Sequence, residues 1–222
     1  MKVLIVGAGL MGVSTAWFLA QAGCDVTVLE RQDAVAQETS FANGGQVSVS
    51  HSEPWATPHN LCHALAWLGR ADAPLLLKPH WSWQQWLWLA QFVRECLPHR
   101  VQHNVHQMVS LARYSREVLS ELSESLCLNY DADACGILHF YEDKKLYQHA
   151  LKQSELMNRY GCERLPCSAD ACLSHEPLLA SLQSRLVGGT FTAADGVGDA
   201  RLFAQALAEH CKRMGVKFLF GY

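Results

Sequence analysis

Apolar residues gather at the start of the chain in two short runs separated by a helical pattern. Val3 to Val6 is continuously apolar and closed by Gly7, which predicts a short buried parallel strand. Apolar positions then recur at helical spacing from about Leu10 to Ala22, where Gly23 stops them. Asp25 to Leu29 predicts a second strand, which ends on Glu30. A strand, a helix and a second strand of these lengths make a βαβ opening.

The pattern then changes. "RQDAVAQETSFANGGQVS", Arg31 to Ser48, is a polar loop of small residues where a plain NAD-binding domain would continue with a helix and a third strand. Pro54, Pro58, Pro74 and Pro79 break the next stretch into short pieces. "HWSWQQWLWLAQFV" holds Trp81, Trp83, Trp86 and Trp88. Trp83, Trp86, Leu87 and Ala90 share one helical face, which favours a buried amphipathic helix. A membrane-surface or quinone-contact element is the alternative, and the lack of an adjacent basic cluster weighs against it.

Val105, Met108, Val109, Ala112, Leu119, Leu122 and Leu126 predict a helix over about Val101 to Ser125. Gly136 to Tyr141 and Leu186 to Thr192 predict strands, with a helix over Lys144 to Tyr160 between them. Near the end, a turn at Asp195 to Gly198 precedes a helix with Phe203, Ala206, Leu207, His210 and Met214 on one face. Gly215 stops it, and Val216 to Phe220 predicts a strand.

The first turn carries the chemistry. Gly7-Ala8-Gly9-Leu10-Met11-Gly12 is a GxGxxG between strand and helix, and Glu30 follows the last glycine by 18 residues. Gly7 permits the tight turn, Gly9 removes a side chain where backbone meets a diphosphate, and Gly12 lets helix and strand pack closely. The helix N-terminus offers free N–H groups and about half a positive charge to phosphates. Glu30 accepts hydrogen bonds from ribose hydroxyls and repels a 2′-phosphate, which argues against NADP despite Arg31. The motif alone leaves FAD and NAD both open.

At 222 residues, half of them apolar, the chain has material for a sizeable core. Net charge is −3, with no basic run, so nucleic acid is not an expected partner. Nine scattered cysteines include no CxxC, and Cys162, Cys167 and Cys172 fit no common metal spacing; reduced thiols and no metal are expected. His99, His103 and His106 are read as a solvated helix start. The N-terminal run imitates a signal peptide, but its regular glycines mark mature structure. No stretch reaches about 18 uninterrupted apolar residues, so no membrane-spanning helix is expected.

Together the opening, "ETSFANGGQVS", "PWATP", "LARYSREVLSEL", "GILHFYED" and "GDARLFAQALAEHCKRMGVKF" resemble, in order, the D-amino acid dehydrogenase small-subunit family. That family belongs to the glycine oxidase and D-amino acid oxidase group of flavoproteins. Its members usually read SAANAGQ where this chain has Ser40 to Gln46 as SFANGGQ. After Gln46 they carry a Ser-Pro-Gly-Tyr-like turn, which Val47 to His51 does not reproduce.

The resemblance implies a Rossmann-like FAD/NAD(P)-binding α/β fold with an inserted α+β substrate or cap domain, truncated at its C-terminus. Residues 1–50 would open the FAD domain, 51–195 form the cap, and 196–222 return to an incomplete FAD domain. FAD is the implied cofactor. Val3, Val6, Gly7, Ala8, Gly9, Leu10, Met11, Gly12 and Trp17 would belong to the ADP-binding segment, with Glu30 and Arg31 at the ribose. Thr39, Ser40, Asn43, Gly44, Gly45 and Gln46 would run beside the flavin end, where backbone amides stabilise negative charge on the reducing ring.

The implied activity is oxidation of a D-amino acid, D-alanine first among them, to a 2-oxo acid and ammonia, with electrons passed to an acceptor such as a quinone. No catalytic acid or base is assigned within these residues; those that hold the substrate carboxylate are expected beyond Tyr222. The implied location is the cytoplasm, with peripheral attachment to the inner face of the cytoplasmic membrane compatible with it. A non-catalytic remnant that binds a dinucleotide at most, and an oxygen-using glycine or sarcosine oxidase relative, are the alternatives.

Overall fold

The computed structural model describes residues 1–66 and 82–222. Pro74, Pro79 and Trp81, used above as chain breaks and as part of the tryptophan run, lie outside the described residues. In chain order the elements are β1 (Lys2–Val6), α1 (Leu10–Gln21), β2 (Asp25–Glu30), β3 (Gln46–Val47), α2 (Pro58–Ala66), α3 (Trp83–Glu95) and α4 (Pro98–Ser125). There follow β4 (Ile137–Tyr141), α5 (Lys144–Asn158), β5 (Leu165–Cys167), α6 (Ala169–His175), β6 (Gly188–Thr192), β7 (Gly196–Val197), α7 (Ala200–Arg213) and β8 (Lys217–Phe220). Two compact units result. The first comprises Met1–Ser48, Ser115–Ile137 and Ala193–Tyr222, and the second Val49–Tyr114 and Leu138–Thr192.

In the first unit β1, β2 and β8 form a parallel sheet in the order β1-β2-β8. The closing strand joins the sheet opened by β1, in keeping with the implied return of 196–222 to the first domain, and pairs with β2, Thr27 opposite Lys217. Helices α1 and α7 pack on one another and on one face of the sheet. Val13, Ala16 and Trp17 from α1 meet Val26 and Val28 from β2 and Phe203, Leu207 and Cys211 from α7. The Cys211 thiol approaches the Val13 carbonyl at 3.9 Å, and burial pushes its pKa up to about 11, so it stays protonated and inert.

β1 differs from the fully buried strand its apolar run predicts. Ile5 joins the core, but Leu4 is 60 % exposed and Val6 84 %. The helices cover only the face that Ile5 shares, and the strand's outer edge pairs with nothing among the described residues. A continuous apolar run reports hydrophobicity on both faces without reporting what covers each.

α7 starts where Asp199 accepts the Leu202 N–H at 2.8 Å, the capping role that a short acidic side chain plays at a helix start. Three basic residues, His210, Lys212 and Arg213, close its last turn, where they complement the helix dipole. Gly215 then turns the chain at φ +91, a conformation that favours glycine.

The second unit holds a three-stranded sheet in the order β4-β6-β5, with β5 and β6 antiparallel. Arg164 lies within it, 4 % exposed. Its guanidinium donates to Glu53 Oε1 (2.7 Å), the Ser50 carbonyl (3.2 Å), Thr190 Oγ1 (3.1 Å) and the Tyr141 hydroxyl (3.1 Å). One cation thereby ties the Ser50–Glu53 turn to β4 and β6.

Helix α3 forms where the period predicts, but its apolar stripe is open rather than buried. Trp83 is 77 % exposed and Trp86 51 %, and Leu87 and Val93 are exposed too. Trp88 stacks instead on Phe92, ring centroids 5.4 Å apart, and the helix ends at the buried Cys96. Periodicity establishes that the residues share a face; it does not establish that another element covers it. No helix among the described residues is long and apolar enough to cross a membrane.

Candidate dinucleotide site

The site is built at the C-terminal end of β1, where a parallel sheet of this kind opens a crevice. Gly7 takes φ +100, a left-handed conformation that turns the chain from β1 into α1. Gly9 is the N-cap of α1 and has no side chain to cap it, so beyond the Leu10 N–H that Ser40 takes, the first turn of the helix presents backbone. A Cβ on Gly9 would stand 3.3 Å from Ser40 Oγ; one on Gly12 would stand 1.9 Å from the Gly7 carbonyl oxygen. These glycines make a cradle that side chains would fill.

Glu30, at the tip of β2, faces that cradle. Its Oε2 accepts the Ala8 N–H at 2.6 Å and its Oε1 accepts the Gln32 N–H at 2.9 Å. Two backbone donors fix the carboxylate at the mouth of the turn, where remaining lone pairs can take further donors such as a sugar diol. Arg31 is ion-paired with Glu38 at the surface beside it. Hydrogen bonds from Gln32 and Arg31 hold the Glu38 carboxyl below the usual carboxylate range.

A hollow of about 510 Å³ collects these groups, lined by Val6, Gly7, Gly9, Glu30, Arg31, Thr39 and Ser40, and by Leu29, Ala36, Gln37, Glu38 and Tyr222. Ser40 bridges loop and helix: its Oγ accepts the Leu10 N–H at 3.0 Å. A second hollow of about 390 Å³ takes Leu10, Asn43, Gly44, Gly45 and Gln46, together with Tyr130, Asp199 and Phe203. Its loop is tightly made. Asn43 Oδ1 accepts the Gly45 N–H at 2.8 Å, Gly45 turns at φ +57, and the Gly198 N–H donates to the Gly45 carbonyl at 2.7 Å.

The residues singled out in the sequence thus divide. Seven line the first hollow and five the second, with Gly9 and Leu10 on either side of the start of α1. Val3, Ala8, Met11, Gly12 and Trp17 line neither. Ala8 and Trp17 are core residues, Trp17 edge-on to His210, whereas Met11 faces solvent. The structure adds Tyr222, Tyr130, Asp199 and Phe203, all from distant stretches. Only Asp199 carried a sequence signal, as an acidic residue before a helical run. Among the described residues no group of three or more His, Cys, Asp or Glu is placed to hold a metal.

A strand, a glycine turn, a bare helix start and a backbone-held glutamate define a dinucleotide-binding α/β unit of the kind used by redox enzymes. Residues 2–222 match the family of FAD dependent oxidoreductases known as DAO, and the chain belongs to that family. FAD is the dinucleotide of the family. The glycine cradle and the two hollows offer room for so long a ligand.

A D-amino acid dehydrogenase of Dechloromonas aromatica (strain RCB) is 48 % identical over all of this chain and 53 % of its own length. Another, of Paramagnetospirillum magneticum, is 43 % identical over 98 % of this chain and 52 % of its own. The crystal structure of glycine oxidase from Geobacillus kaustophilus superposes with a TM-score of 0.69 over 99 % of this chain and 47 % of that one, at 17 % identity, a likeness of fold. The chain spans about half the length of the curated relatives it matches.

Proposed function

We propose that this chain serves the FAD-dependent oxidation of D-amino acids to 2-oxo acids and ammonia, D-alanine among them, with electrons passing to a quinone or dye acceptor. The observation that carries the reading is the 48 % identity, over all of this chain and 53 % of the relative, with a protein named D-amino acid dehydrogenase. Val3 to Gly12 and Trp17 make the ADP-binding segment. Glu30 and Arg31 stand at the ribose, and Thr39, Ser40 and Asn43 to Gln46 run toward the flavin. Residues 51–195 make the substrate or cap domain, and most of the second unit falls within them. When bound, FAD supplies the hydride acceptor; the residues of this chain bind and orient it.

The test has two stages. The purified chain, mixed with FAD and desalted, is expected to keep a visible flavin spectrum. With the remaining length of its relatives supplied, it is expected to reduce a dye with D-alanine faster than it reduces oxygen. A colourless chain counts against the assigned binding residues. Failure of that completed protein to reduce its flavin with any D-amino acid sinks the substrate reading.

A quinone acceptor would bring the protein to a membrane surface, and the open stripe of α3 supports a peripheral location on the inner face of the cytoplasmic membrane. Tryptophan rings are suited to the headgroup region, and Trp83, Trp86 and Leu87 would enter it together. The chain is expected to co-sediment with anionic vesicles, and Trp83→Ser with Leu87→Ser to release it. Unchanged sedimentation of that double variant would rule the stripe out as the membrane contact.

A further inference from the structure

Two of the four arginines in the first unit are held by protein acceptors. Arg31 is paired with Glu38, and Arg116 donates to the Ala194 carbonyl at 3.1 Å and stands 3.8 Å from Asp195. Arg201 is different. It lies in the first turn of α7, two residues after the cap Asp199. Its Nε is buried and donates to nothing among the described residues. No carboxylate there pairs with it. Its guanidinium rests instead on a ring: Cζ is 4.1 Å from the centroid of Phe41. A cation on an aromatic face keeps its in-plane N–H donors free for other acceptors.

The position of that ring matters. Phe41 follows Ser40, whose Oγ is bonded to the Leu10 N–H at the start of α1. Thr39 and Ser40 line the first hollow, and Asn43 to Gln46 line the second, so Phe41 stands in the loop between them. Ala200 and Phe203, neighbours of Arg201 on α7, line the second hollow. A dinucleotide laid from Glu30 past the start of α1 carries its two phosphates through this middle stretch. The planar fork of a guanidinium matches phosphate oxygens in pairs, which an unpaired lysine or a surface histidine does not.

We propose that Arg201 binds the diphosphate of the dinucleotide, with Phe41 as the platform that aims its guanidinium. The proposal rests on the FAD reading above and adds a residue and a specific part of the ligand to it. It predicts that the charge at position 201 is felt by ligands with phosphates and ignored by those without.

The experiment is a binding titration of the full chain with FAD, ADP and adenosine, for the native protein, Arg201→Gln and Arg201→Lys. Arg201→Gln is expected to weaken FAD and ADP roughly 10- to 100-fold, the range of a lost charge-assisted hydrogen-bond pair, and to leave adenosine within about twofold. Arg201→Lys should fall between, retaining charge without the paired geometry. Unliganded melting curves of all three should coincide, which separates a ligand effect from a folding effect. Unchanged ADP affinity in Arg201→Gln overturns the proposal alone. Equal losses for ADP and adenosine also overturn it and make Arg201 a support for the loop. A native chain that binds neither FAD nor ADP overturns the FAD reading and this proposal together.

Discussion

Gly12→Val is expected to abolish FAD uptake by the chain, and Gly12→Ala to weaken it by a hundredfold or so, the scale of about 3 kcal/mol of overpacking. The Cβ would fall 1.9 Å from the Gly7 carbonyl oxygen, 3.0 Å from its carbonyl carbon and 3.6 Å from Ile5 Cγ2. Two of those atoms are backbone and cannot rotate away. Relief requires α1 to lift off the turn, which displaces the bare first turn of the helix and the Ala8 N–H that holds Glu30. The neighbouring glycines act through other means. Gly7 has open space for a Cβ and needs only its φ of +100, so Gly7→Ala should cost about 1 kcal/mol of backbone strain. A Cβ on Gly9 presses on a hydroxyl that can turn, at the expense of the Ser40 bond to Leu10. Titration of flavin fluorescence ranks the three. Wild-type affinity in Gly12→Val would show that the cradle does not hold the cofactor.

Arg164→Met is expected to be the most damaging single change in the second unit. It removes the buried member of an ion pair and takes a donor from the Thr190 and Tyr141 hydroxyls and from the Ser50 carbonyl. Breaking a buried pair this way costs about 3–5 kcal/mol, and the partial exposure of Glu53, at 37 %, reduces that to roughly 2–4. A midpoint fall of roughly 5–15 °C follows for a chain of this size. Arg164→Lys keeps a charge for Glu53 and loses the fork that reaches Thr190 and Tyr141, so it should melt in between. Calorimetry that finds Arg164→Met within 1 kcal/mol of the native chain would show that the network is dispensable.

Local patterns carried the opening of the fold. β1, the glycine turn, α1, β2 and Glu30 are contiguous, and each is specified by its own few residues. Long-range features were not legible. One unbroken amphipathic pattern predicts a helix over Val101 to Ser125, and nothing in that period marks that residues from Ser115 onward belong to the first unit. The tryptophans of α3 show the same limit, since a shared face looks identical whether covered or open. Arg164 sits in "NRYGCERLPC", a polar stretch with no period, and its partners lie up to 114 residues away. Arg201 reads as one more helix former; only the structure shows that its Nε finds no acceptor among the described residues and that Phe41 lies beneath it.

The pairing of β2 with β8 also sets an order of events at the ribosome. Thr27 and Lys217 face each other across a separation of 190 residues. β1, α1 and β2 emerge early and can associate at once, whereas β8 and α7 arrive only after the whole second unit has been made. At roughly 5–20 residues per second, that delay is about 10–40 s. Throughout it, Val26, Val28 and Trp17 lack the α7 side chains that bury them. The second unit, whose sheet β4-β6-β5 closes from strands near one another in sequence, has time to form first. The nascent nucleotide-binding half therefore depends on prompt completion of the chain or on a chaperone that shields its apolar face in the interval.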